Sequence, residues 1–263
     1  MVLLIIIGLL LVGLGVWLAV FQRAKKANVA LEIQAQPTKT YDEVKEALEA
    51  MQDYDPNYRE LVEVKGVAQA SQPTLAPFSH TRVAFYVAEN YQVSEDTEEY
   101  RDSNGARKIR TTKHEDKLSE EVSTADLLCK DAAGNEIVIE TNGIANKLDL
   151  IKSYDTLDRS NTGPANPRGM LNVRGTGRRI IGYKLVEKTF AAGAPLYVLG
   201  EAYMMSNRIY IGPPKDPKQP FIVTSKSEEQ MLASTKSSQS ASLFGGLGLM
   251  VLGLVLFIVG IVK

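Results

Sequence analysis

The sequence predicts an α+β protein, a mostly antiparallel β domain with short helices, flanked by two transmembrane α-helices. Three observations predict it. Residues 1–21 and 237–262 carry no charged side chain. Between them lie runs rich in Val, Ile, Tyr and Phe, separated by Gly, Pro and Asn. Two capping-box patterns mark short helices at the borders of those runs. The overall content of 44% hydrophobic and 23% charged residues is that of an ordinary soluble domain, because the average hides how the apolar residues are piled at the two ends.

The first segment, residues 1–21, reads MVLLIIIGLLLVGLGVWLAVF and is followed by Arg23, Lys25 and Lys26. About 20 apolar residues cross a bilayer core. A cleaved signal peptide carries its basic residues before the apolar run; here they follow it, which predicts an uncleaved anchor. Trp17 and Phe21 suit the interfacial aromatic belt. Arg23, Lys25 and Lys26 orient the chain, placing the N-terminus outside and the central domain in the cytoplasm. Residues 243–262, LFGGLGLMVLGLVLFIVGIV, form the second span. The divisions that follow are 1–21 span, 22–60 juxtamembrane linker and amphipathic helix, 61–232 β-rich domain, 233–242 linker, and 243–262 span. Gly15 with Ala19, and Ala241 with Gly245, have the small-xxx-small spacing that lets two such helices touch.

After the basic stretch, Thr40 followed by Glu43 forms a capping box, and Val44, Ala47, Leu48 and Met51 fall on one helical face. The opposite face carries Asp42, Glu43, Glu46 and Glu49, which anionic lipid repels, so this helix is expected on the domain core rather than on the membrane. Residues 61–68 and 81–93 read as strands. In the second, Val83, Phe85 and Val87 share one face and Ala84, Tyr86 and Ala88 the other, which predicts cover on both sides. Asn104-Gly105 is a hairpin signal. The mixed-sign stretch from Glu95 to Glu121 predicts a solvated hairpin or edge. A second hairpin joins Leu127, Leu128 and Cys129 to Ile137, Val138 and Ile139. Further strands are expected at 178–188, 196–202, 208–211 and 221–223, the middle pair turning at Ser206-Asn207. Ser225 and Glu228 make the second capping box, opening a helix toward the second span.

Chemistry is bounded by the residue counts. One cysteine, Cys129, and two histidines, His80 and His114, are too few for a zinc finger, a RING or an iron–sulfur framework. No catalytic, cofactor-binding or metal-ligating set is expected, and Cys129 reads as a small buried residue. Thirty Lys and Arg against 31 Asp and Glu provide no drive toward nucleic acid. A hydrolase built on His80 or His114 lacks any nucleophile-elbow pattern beside it.

Two stretches carry a resemblance. Residues 186–202 contain Gly193, Pro195, Leu196, Tyr197 and Gly200, and residues 220–232 open with Pro220, Phe221 and then Ser225. With a span before and a span after, they resemble the GIDE or "beside a membrane" (BAM) domain of the mitochondrial and plastid membrane-anchored E3 ubiquitin ligases. The resemblance implies a membrane location and a sensing or docking domain. It also implies the side away from the cytosol, against the charge reading. Relatives place a RING finger after the second span, and none of its zinc ligands has a counterpart in these residues. The expected function is therefore a double-anchored membrane protein whose BAM-like domain is a protein-interaction or membrane-organising module. Its partners would be the lipid bilayer and an unidentified protein, with self-association left open. The alternatives are a ligase-type function by resemblance and lipid or small-ligand binding at the membrane surface.

Overall fold

A computed structural model of the chain describes residues 2–17, 19–20, 36–159 and 179–262. Arg23, Lys25 and Lys26 lie outside the described residues. The described residues are mostly β and the named strands pair antiparallel, with α-helices α1 (Val2–Trp17), α2 (Tyr41–Gln52) and α3 (Glu228–Val262) among them. Two compact units divide it, one made of residues 1–65 with 195–263 and the other of residues 66–194.

In the first unit, α2 begins where the capping box places it. The Thr40 hydroxyl accepts from the Glu43 amide while the Glu43 carboxylate accepts from the Thr40 amide at 2.7 Å. Its apolar face turns inward through Val44 and Leu48. Strands β9 (Pro195–Met205) and β10 (Arg208–Gly212) form a hairpin. Its two turn residues, Ser206 and Asn207, have φ of 50° and 62°, the left-handed pair that a tight hairpin of natural twist requires. Strand β11 (Ile222–Thr224) pairs with the other edge of β9. Tyr197, Leu199 and Met231 form the core here, with Leu61 and Ile222 packed against them.

The second capping box falls two residues later than the sequence predicts. Thr224 is still held in the ladder opposite Tyr197, so the chain needs residues 225–227 to leave the sheet before a helix can start. Ser227 is the cap: its hydroxyl accepts from the Gln230 amide, and the Gln230 side chain accepts from the Ser227 amide at 3.0 Å. From there α3 runs for 35 residues.

α1 and α3 pack antiparallel through glycines seven residues apart. A Cβ at Gly15 would lie 2.6 Å from the Gly246 carbonyl oxygen, and one at Gly253 would lie 2.7 Å from that of Gly8. Gly15 and Ala19 are at the contact as predicted, Ala19 meeting Gly246. Gly245 is not, having open space beside it, and Ala241 is exposed. A seven-residue repeat keeps contacts on one face of an underwound helix pair, and that repeat passes through Gly246, not its neighbour.

In the second unit, β3 (Arg82–Arg101) is the spine of a five-stranded antiparallel sheet. One edge of β3 takes β2 (Thr74–Leu75) and then β4 (Arg107–Val122); the other takes β8 (Arg179–Ala191), which pairs in turn with β7 (Ile151–Asp158). Residues 83–89 of β3 are buried without interruption, as the two-sided pattern predicts. Phe85 faces Phe190, but Val83, expected on the Phe85 face, packs instead with Tyr86, Ala88, Ala76 and Phe78, because the β3–β8 register shifts between Val83 and Phe85. The Asn104-Gly105 hairpin is present. Asp102 accepts from the Asn104 and Ala106 amides, and Gly105 takes φ +78°. Beyond Glu95, β3 and β4 continue, among the described residues, as a two-stranded ribbon. Strand β1 (Glu60–Ala70) sends its residues 67–70 to pair with β5 (Leu127–Lys130), and β5 forms the expected hairpin with β6 (Glu136–Ile139). The sequence reading misses β2 and β7, both of which are largely exposed and lack a clean alternation.

Candidate functional site

The polar chemistry of each unit is concentrated on one buried carboxylate. In the first unit it is Glu63, 1% exposed in β1. Tyr197 of β9 donates to it at 2.6 Å, the Thr38 hydroxyl donates to its other oxygen, and the Lys65 ammonium lies 3.0 Å away. Lys65 is two residues along β1 and therefore on the same face. It reaches on to Glu228, the first residue of α3, at 3.1 Å. Burial alone would lower the Lys65 ammonium, but the hydrogen bonds and charges of Glu63 and Glu228 outweigh it and hold it above its ordinary value. Burial and then the Glu63 carboxylate push the Tyr197 phenol well up, so it stays a donor. The network ties the entering chain, the sheet and the start of the long apolar helix to one point.

A second device of the first unit is an aromatic stack. Tyr203 and Tyr210 stack with ring centroids 5.6 Å apart across the β9–β10 hairpin, and the Arg59 guanidinium lies 4.2 Å from the Tyr203 ring centre.

In the second unit Glu187 of β8 is fully buried. Its carboxylate accepts from the Phe78 amide at 2.9 Å, from the Ser79 amide and hydroxyl, and from the Ser153 hydroxyl at 2.9 Å. Burial alone would raise its pKa; the Ser79, Phe78 and Ser153 donors outweigh that and hold it below the ordinary value. The carboxylate thereby pins the loop 76–81 to the sheet. On β3, Glu89 receives Lys117 at 2.7 Å and Lys188 at 3.0 Å, and these two ammonium groups overcome the effect of burial to keep it ionised. Tyr86 donates to Glu121 at 2.6 Å, and burial followed by that carboxylate raises its phenol to about 12.

The residues singled out from the sequence are scattered among these features. Tyr197 is in the Glu63 network. Leu196 is buried beside it, and Pro195 opens β9 at the surface. Gly200 is obligatory, since a Cβ would meet the Gly212 carbonyl oxygen at 2.8 Å and the Phe221 ring at 2.9 Å. Phe221, with Pro220 before it, is half-buried and Ser225 lies in the bend before α3. Gly193 turns the chain out of β8 with φ +79°. Cys129 is buried in β5, and burial, with the Asp131 charge, pushes its thiol up to about 12. His80 is exposed at a positive φ of 53°, and His114 lies within β4, opposite Ser94. Among the described residues no group of three His, Cys, Asp or Glu is placed to hold a metal ion. The sequence reading does not mark Glu63, Lys65 or Glu187, and Glu228, expected as the partner of Ser225 in a cap, instead pairs with Lys65. For Glu63 the available signal is a Glu between apolar neighbours, Leu61-Val62-Glu63-Val64, whereas Glu187 is followed by Lys188 and carries no such signal.

Among the described residues one helix, over Leu243–Ile261, is long and apolar enough to cross a membrane; the apolar stretch Ile5–Trp17 of α1 is shorter. The family model GIDE, described as E3 Ubiquitin ligase, matches residues 95–257, more than half of the chain. No curated protein and no solved structure matches it.

Proposed function

The chain belongs to the GIDE family, and from that premise we propose that it is a two-pass membrane protein whose β-rich body serves as a protein-docking or membrane-organising module. The observation that carries the reading is the outward face of the α1–α3 pair. Leu10 and Phe244 are 68% and 69% exposed, and Leu3, Leu247 and Val251 are similarly bare. An apolar face of that extent is unfavourable in water and favourable in lipid. α1, shorter than a bilayer core on its own, crosses by packing its glycines on α3. The Glu63–Lys65–Glu228 network then transmits the position of the inserted helix directly to the sheet. Arg23, Lys25 and Lys26 favour a cytoplasmic body.

The description of the family as E3 ubiquitin ligases supports a second reading, in which the body selects or holds proteins for ubiquitination. One Cys and two His cannot ligate the two zinc ions of a RING, so such an activity runs through a RING outside these 263 residues.

Carbonate extraction and protease protection on sealed vesicles test the reading. The full chain is expected to stay in the membrane pellet, with the body cleaved from the cytoplasmic side alone. Release into the aqueous fraction overturns the membrane reading, and protection from the cytoplasmic side reverses the orientation.

A further inference from the structure

We propose that the outer edge of β4 is a self-association edge, pairing antiparallel with β4 of a second copy about a two-fold axis at His114. Among the described residues β4 pairs with β3 only, so its other edge presents backbone donors and acceptors. The charge along that strand is polarised. Arg107, Lys108, Arg110 and Lys113 occupy its first half, and Glu115, Asp116, Glu120 and Glu121 lie in its second, where Lys117 is the one cation. A parallel copy would set like charges side by side. An antiparallel copy centred on His114 sets Lys113 opposite Glu115 on both sides of the axis, and the basic half along the acidic half beyond. The shift of register at Asn90/Tyr91, where β4 carries its extra residue Leu118, displaces the outer pairs by one position without exchanging the halves.

The ribbon also needs a neighbour. Past Glu95 it is, among the described residues, two strands wide, and Ile109 is 69% exposed near its tip. A two-stranded ribbon of this kind is only marginally stable by itself. The existing ion pairs Lys113–Glu95 and Lys184–Glu115 lie on the β3 side and leave the outer side of both residues in reach of a partner strand. The inference deepens the docking reading above and rests on it for concentration, since two copies in one membrane meet at a high effective concentration.

Residues directly opposite in an antiparallel pair have Cα atoms within disulfide range. In native membranes, His114→Cys in the full chain is expected to form a disulfide-linked dimer under mild oxidant. The parent chain, whose thiol at Cys129 is buried, and Ser103→Cys at the ribbon tip are expected to remain monomers. Lys113→Glu and Glu115→Lys, each added to His114→Cys, should each reduce cross-linking about tenfold or more, since like charges would meet across the axis. Mixing the two should restore it, because a heterodimer regains opposite charges at both positions; a misfolded variant would not be rescued. The proposal is overturned if His114→Cys does not cross-link, if Ser103→Cys cross-links equally well, or if the mixture fails to recover. Capture of a different protein by a monomeric His114→Cys chain sinks this inference and leaves the docking reading standing, whereas carbonate release sinks the reading itself.

Discussion

The phenol of Tyr197 donates to the carboxylate of Glu63 at 2.6 Å, and both residues are almost wholly buried, at 3% and 1% exposure. Tyr197 belongs to β9 and Glu63 to β1, 134 residues apart in sequence. A hydrogen bond to a buried charged acceptor is worth about 1.5–3 kcal/mol, and leaving the acceptor short of a donor costs a similar amount. Tyr197→Phe is therefore expected to lower the unfolding free energy of the solubilised full chain by about 2 kcal/mol. A midpoint unchanged from the parent in chemical denaturation would show that the bond contributes nothing net.

Glu187 makes a sharper case, because several donors converge on it and none among the described residues is a cation. Glu187→Ala leaves the Phe78 and Ser79 amides without their acceptor, and the cost is expected to reach about 3 kcal/mol. The loop 76–81 should then be cut by protease before the rest of the second unit. Equal cleavage rates in parent and variant would contradict the pinning role.

The same carboxylate sets a pH dependence, shared with Glu89. Both are held below the ordinary value of 4.5. A depressed folded-state pKa contributes stability that is complete above the unfolded value and is lost as pH falls through the folded one. Stability should thus be flat with respect to these two groups above pH 4.5 and decline below it. In Glu89→Gln that decline is expected to be shallower, read as the slope of unfolding free energy against pH. An unchanged slope would remove Glu89 from the account.

The glycine contact between α1 and α3 predicts an asymmetry between adjacent positions. Gly246→Leu places a branched side chain where a Cβ already meets the Gly15 carbonyl oxygen at 2.6 Å, and overpacking of this sort costs about 1–3 kcal/mol. Gly245→Leu points into open space and should change little. Cross-linking between cysteines placed on the two helices in detergent would separate the variants. Equal loss in both would place the helix contact elsewhere.

Gly200→Ala tests the sheet itself. The added methyl meets a backbone carbonyl oxygen at 2.8 Å and the Phe221 ring at 2.9 Å, so a loss of about 1–3 kcal/mol is expected. Combining it with Phe221→Leu removes the ring but not the carbonyl, and so should recover only part of the loss. Full recovery would mean that the ring alone requires the glycine.

What could be read in the chain was set by neighbours a few residues away. The Thr40/Glu43 cap, the Asn104-Gly105 and Ser206-Asn207 turns, and the two-sided burial of residues 83–88 depend on local dihedrals and on the two-residue alternation of strands. Where long-range pairing competed with a local signal, pairing prevailed. Ser225 and Glu228 have the spacing of a cap, but Thr224 is fixed opposite Tyr197. The polar second half of β3 and the whole of β7 carry little strand signal of their own, and are strands because the ladders of β4 and β8 satisfy their backbones.

The sequence by itself determined the apolar helices, the β character of the body and the family motif, because these follow from composition and short-range geometry. Only the tertiary structure decided which glycines meet, which glutamates are buried, and that Lys65 joins the sheet to the first turn of α3. Those outcomes depend on how a helix is rotated and on which face of a strand is covered, and both are set by elements more than a hundred residues away.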